Sequence, residues 1–107
     1  MRSLSKVAVL TAAASLAVAG TAFASNNLRW KDARHMANKL ARHEAHRHKV
    51  DHWRIFGGQR VSHREIDYVY NVDYHDGTLC DATIRVRLVN PSTRLIRARF
   101  TDVHCEH

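Results

Sequence analysis

Ile66-Asp67-Tyr68-Val69-Tyr70-Asn71-Val72-Asp73-Tyr74, then His75-Asp76-Gly77, then Thr78-Leu79-Cys80-Asp81-Ala82-Thr83-Ile84-Arg85-Val86-Arg87-Leu88, alternates twice around one glycine-bearing break. Ile66, Tyr68, Tyr70, Val72 and Tyr74 share one parity, and Asp67, Asn71, Asp73 and His75 share the other, as in a half-buried strand. Cys80, Ala82, Ile84, Val86 and Leu88 repeat the pattern opposite Asp81, Thr83, Arg85 and Arg87. A two-residue Asp-Gly turn would put the two apolar rows on opposite faces, because a one-residue slip turns every side chain over. A three-residue loop with Gly77 left-handed keeps them together. It predicts the pairs Tyr74 with Thr78, Val72 with Cys80, Tyr70 with Ala82 and Tyr68 with Ile84.

Downstream, Asn90-Pro91-Ser92-Thr93 reads as a second turn, and Ile96, Ala98 and Phe100 as the inner row of another strand. The register then predicts Leu88 with Ile96, Val86 with Ala98 and Ile84 with Phe100. Continued to its end, it sets Cys80 opposite His104 and leaves Cys105 one place off. A bulge between Thr101 and His104 is therefore expected, allowing Cys80 and Cys105 to join across neighbouring strands. Upstream, Trp53 to Arg60 reads as a first strand, bent at Gly57-Gly58. Ser25 to Lys31 reads as a polar lead-in. From Asp32, a plausible helix-start residue, Ala33, Met36, Ala37, Leu40 and Ala41 recur at helical spacing with Lys39, Arg42, His43 and His46 turned away. A helix over about residues 32 to 49 follows. The expected fold class is α+β, with one N-terminal helix packed on a four-stranded antiparallel meander in two layers.

At the other end, Arg2 and Lys6 precede an apolar run from Val7 to Val18, and Ala22-Phe23-Ala24 precedes Ser25. This is the three-part pattern of a secretory signal cleaved at Ala24-Ser25. Residues 1–24 are then a signal peptide, and residues 25–107 a single mature domain that is secreted, extracellular or periplasmic. Gly20 and Thr21 break the run, which argues against a membrane-spanning helix. In an oxidising compartment, two cysteines in a small domain are expected to form one disulfide, Cys80 to Cys105. Closing that loop contributes about 3.5 kcal/mol on chain-entropy grounds.

The chain carries 17 Lys and Arg, 10 Asp and Glu, and nine His, a formal charge of +7 that falls by two when Arg2 and Lys6 are removed. A basic, histidine-rich surface suits anionic partners and gains charge below about pH 6. Two clusters stand out. His43 and His46, three apart on one helical face, could ligate Zn²⁺ or Cu²⁺ if His35, Asp51 or His52 supplied a third donor. The spacing is one short of the metalloprotease His-Glu-x-x-His pattern, and Arg42, Arg47 and Lys49 crowd the face with positive charge. On the outer sheet face, the register sets Arg85 opposite Arg99 and Arg87 opposite Arg97, a quartet able to hold an anion. Asp67 stands beside Arg85 and Glu65 beside Arg87, so each row is expected to be partly neutralised. The tyrosine row shares parity with Ile66 and Val72 and reads as core, so nucleic acid is not expected. Trp30 and Trp53 flank the helix as edge packing.

The order of one helix and then four strands, over residues 32 to 105, resembles the cystatin-like and PepSY-like folds and each repeat of the secreted beta-lactamase inhibitory protein. Gly58 to Tyr68, with Arg60, Ser62 and Ile66, resembles small secreted actinobacterial proteins of unknown function, which often carry cysteines at the places of Gly58 and Tyr68. That resemblance implies no activity. Arg64-Glu65-Ile66-Asp67 with late His104 is similar to small secreted ribonucleases of the barnase type, which implies a glutamate base and a histidine acid. Those enzymes have arginines where this chain has His75 and Leu79. No Ser-His-Asp motif, phosphate-binding glycine loop or paired catalytic carboxylates occurs. The expectation is a non-enzymatic binding domain, with no required cofactor, acting on a protein or an anionic surface. The alternatives are a histidine-based metal binder and a ribonuclease-like enzyme.

Overall fold

A computed structural model describes residues 14–17 and 26–107. The elements are β1 (Ala14–Ala17), α1 (Trp30–Arg47), β2 (Val50–Ser62), β3 (Glu65–Tyr74), β4 (Leu79–Asn90) and β5 (Leu95–Glu106). Strands β2 to β5 form the antiparallel meander, and α1 covers one of its faces. The fold is α+β in two layers, as the alternation requires. The sheet has a fifth member, because β1 pairs antiparallel with Leu95–Ala98 on the outer edge of β5. An edge strand presents a row of unpaired N–H and C=O groups, which any extended segment can satisfy. Apart from Ala14–Ala17, the signal segment and its Ala24-Ser25 junction lie outside the described residues.

The central pairing follows the parity argument. Val72 faces Cys80, Tyr70 faces Ala82, and Tyr68 faces Ile84. The Tyr74 N–H donates to the Thr78 carbonyl (2.8 Å), and Gly77 has φ +90°, which a side chain would resist. Asp76 Oδ1 accepts from the Thr78 N–H at 2.9 Å and closes the loop. In the next pair, Leu88 faces Ile96, Val86 faces Ala98, and Ile84 faces Phe100. Between Thr101 and His104 the register shifts by one residue, with Asp102 at φ 52°, and Cys80 comes to face Cys105. Their disulfide closes with the two Cα atoms 4.0 Å apart.

Two boundaries differ from expectation. Helix α1 starts at Trp30 and ends at Arg47, two residues earlier at each end than expected. Asp32 is a first-turn residue and not the cap: its Oδ2 lies 2.9 Å from Arg29 Nε and 3.6 Å from Arg94 Nη2. Strand β2 runs from Val50 to Ser62, with register shifts at Val50/His52, Phe56/Gln59 and Arg60/Ser62. The middle shift is the expected bend at Gly57-Gly58, with Gly57 at φ +67°.

The core lies between α1 and the inner sheet face. Ala33, Met36, Ala37, Leu40 and Ala41 meet the tyrosine row, Ile84, Val86, Leu88, Ile96 and Phe100, all buried. Tyr70 and Phe100 pack with ring centroids 4.9 Å apart. The alanine-rich stripe brings the helix backbone close, so the large side chains come from the sheet. Each one buried contributes about 1.5–3 kcal/mol. The lead-in is not wholly polar as expected. Leu28 is fully buried, its N–H donates to the His63 carbonyl (2.7 Å), and its carbonyl accepts from Arg60 Nη2 (2.6 Å). Among the described residues, no helix is long and apolar enough to cross a membrane.

Candidate anion-binding face

With α1 on one side of the meander, the other face carries the second parity. The observed register sets Glu65, Arg87 and Arg97 in one row and Asp67, Arg85 and Arg99 in the next. Arg85, Arg87, Arg97 and Arg99, with Val89, line a concavity of about 300 Å³. The structure therefore brings together all four arginines named from sequence.

Neutralisation is less even than the register implies. Glu65 is in register with Arg87, yet its Oε2 lies 3.0 Å from Arg85 Nε, in an ion pair whose N–H is not aligned for a hydrogen bond. Arg85 Nη2 also donates to Asp67 Oδ2 at 3.4 Å. Both carboxylates thus converge on one guanidinium, and the two partly neutralised rows expected from sequence are replaced by one saturated arginine. The bond to Asp67, then its charge, then that of Glu65, push the Arg85 pKa up further. Among the described residues, no ion pair ties Arg87 or Arg99, and both are exposed. Strands β4 and β5 hold these like charges side by side, a repulsive arrangement that a shared oxyanion relieves.

Beyond the quartet, Phe56 faces Val69 across β2 and β3, and both are largely exposed. Arg54 sits over the Phe56 ring at 5.6 Å. The outer face thus carries apolar groups beside its cations.

The other candidate sites are not assembled. His43 and His46 stand exposed on α1, and among the described residues no three His, Cys, Asp or Glu side chains come close enough to hold a metal ion. The third ligand expected from His35, Asp51 or His52 does not arrive. Asp51 instead lies 3.1 Å from His75 Nδ1. The ribonuclease-like pair is separated as well. Glu65 faces Arg87 while His104 faces Asp81, six residues further along β4. At strand spacing they are about 20 Å apart.

Two buried charged groups, Glu44 and Arg94, were not foreseen by sequence reasoning. Glu44 is buried, and its Oε2 accepts a 2.6 Å bond from the Tyr74 hydroxyl. His48 Nε2 lies 3.9 Å from its other oxygen. The signal was available, because Glu44 continues the stripe Ala33, Met36/Ala37, Leu40/Ala41 at the next inward position. Burial pushes the Tyr74 pKa well above its ordinary value, and the bond to Glu44 and its charge add to this. Burial likewise raises Tyr70, with the charge of Glu44 contributing second.

The chain matches no protein family, no characterised protein and no solved structure.

Proposed function

We propose that the protein is an exported, non-enzymatic binding domain whose outer sheet face docks on an anionic surface through Arg87, Arg97 and Arg99. The observation that carries this reading is the uneven neutralisation of the quartet. Two carboxylates are given to Arg85, while Arg87 and Arg99 stand exposed in the same concavity. Guanidinium groups match phosphate oxygens in bidentate geometry, and neighbouring Phe56 and Val69 suit a surface with apolar groups beneath its charges. The role of Arg85 is positional. Held by Glu65 and Asp67, it anchors the row without contributing much net charge.

The secretory pattern read from Arg2 to Ala24 supports export to where such surfaces are found, and the disulfide suits such a compartment. The test is co-sedimentation with phosphatidylglycerol vesicles across a salt series. Binding is expected at low ionic strength and should fall steeply as salt screens the face. Equal binding to phosphatidylcholine vesicles would reject the reading.

A further inference from the structure

On the opposite side of the sheet from the arginine quartet, the start of α1 and the bulge of β2 border a shallow, open depression of about 450 Å³. It is lined by Trp30, Lys31, Arg34, Gly57, Gly58 and Tyr68. We infer that this depression is a binding site for a small aromatic carboxylate, the ring lying on the exposed Trp30 indole, and the carboxylate meeting Lys31 and Arg34.

Three observations carry the inference. The first is the glycine pair. A side chain at Gly58 would place its Cβ 3.0 Å from Trp30 Cζ3 and 3.0 Å from Tyr68 Cε1, so only glycine lets the Trp30 and Tyr68 rings close against the strand and fixes the indole in the wall of the depression. Gly57, at φ +67°, turns the backbone beside it. The second is a Trp30 indole that is half exposed yet held in place. Arg60 lies 5.4 Å from its ring, and the same guanidinium bonds the carbonyls of Ser62, His63 and Leu28 at 3.1, 3.0 and 2.6 Å. Arg60 is thus fixed by backbone acceptors and backs the indole as a rigid support. A pre-organised aromatic platform loses little conformational freedom when a planar ring stacks on it.

The third is charge. Lys31 and Arg34, three apart on α1, share one side of the helix and are both exposed. Arg34 lies 5.5 Å from the Tyr68 ring and makes one 3.4 Å bond to the Ile55 carbonyl, leaving other N–H groups for a ligand. The nearest acid on the helix, Asp32, is occupied by Arg29 and Arg94. A depression of this volume with flat apolar walls and two convergent cations suits a small ring-bearing anion. Stacking selects a ring, and the cations select the acid.

The test is NMR titration of the exported protein with phenylacetate, cyclohexylacetate, phenylethanol and glucuronate. Phenylacetate should shift the Trp30 indole N–H and the Gly57 and Gly58 amides along a saturating curve, with a Kd on the order of 1 mM. Cyclohexylacetate, which lacks the π face, phenylethanol, which lacks the charge, and glucuronate, which has a charged but non-aromatic ring, should each bind about tenfold more weakly or worse. Replacing both cations, Lys31→Gln with Arg34→Gln, should weaken phenylacetate about tenfold. Lys31→Gln alone, at an exposed position without packing, should retain the fold and part of that loss. The inference is overturned by the absence of saturable shifts, by equal binding of any one comparison ligand, by unchanged binding in the double variant, or by shifts confined to the Arg87 and Arg99 face.

Discussion

Tyr74 and Glu44 form a fully buried polar bond between helix and sheet. Its removal has a definite sign. Tyr74→Phe leaves the Glu44 carboxylate buried without its hydroxyl donor and should cost about 1–3 kcal/mol in urea unfolding. The same tyrosine gives the fold a pH dependence. Tyr70 and Tyr74 are both held above their ordinary pKa of 10.0 in the folded protein. Above about pH 10 the unfolded chain gives up these protons while the folded one keeps them, so the unfolded state gains. Stability should hold up to that point and then fall by about 1.4 kcal/mol per pH unit for each of the two tyrosines. Tyr74→Phe should roughly halve the slope. A stability profile that stays flat from neutral pH into this alkaline range would show that the two hydroxyls are not buried as described.

At the scale of elements, β3, β4 and β5 were legible because a period of two, together with one odd-length loop, leaves a single register that keeps every apolar row inside. The bulge at Asp102 was legible for a different reason. Two cysteines one place out of register can join across neighbouring strands only with one extra residue on β5. Replacing Cys80 and Cys105 together by alanine should lower stability by about 3.5 kcal/mol, read as a fall in the urea midpoint. An unchanged midpoint would mean that the crosslink constrains little of the unfolded chain. The ends of α1 were not legible. Asp32 looks like a cap in sequence, but its partner Arg94 arrives from the β4–β5 turn, a contact that no local pattern announces. The burial of Leu28 depends likewise on Arg60 near the end of β2 and His63 from the β2–β3 turn. The Trp30 depression escaped for the same reason, since its walls come from a helix start and a strand bulge far apart in sequence.

Across the whole molecule, the two faces of the sheet divide the roles. The inner face holds the tyrosine row and the helix, and the outer face carries charge. Sequence register placed the four arginines correctly, because cross-strand position follows from parity alone. It did not place the carboxylates, because Glu65 reaches diagonally to Arg85 and not straight across to Arg87, a choice made by side-chain reach. Under the proposed function, anion docking depends on where the charge sits as well as on how much there is. The most direct measurement compares two double variants with the same loss of charge, Arg87→Gln with Arg99→Gln on the outer face, and Lys39→Gln with Arg42→Gln on the exposed side of α1, in binding to phosphatidylglycerol vesicles at low salt. With about 1 kcal/mol per basic residue at an anionic membrane, the outer-face variant should bind about thirtyfold more weakly while the helix variant stays near the parent. Equal weakening of the two variants would contradict a dedicated outer-face site, and so would vesicles that the parent protein fails to bind.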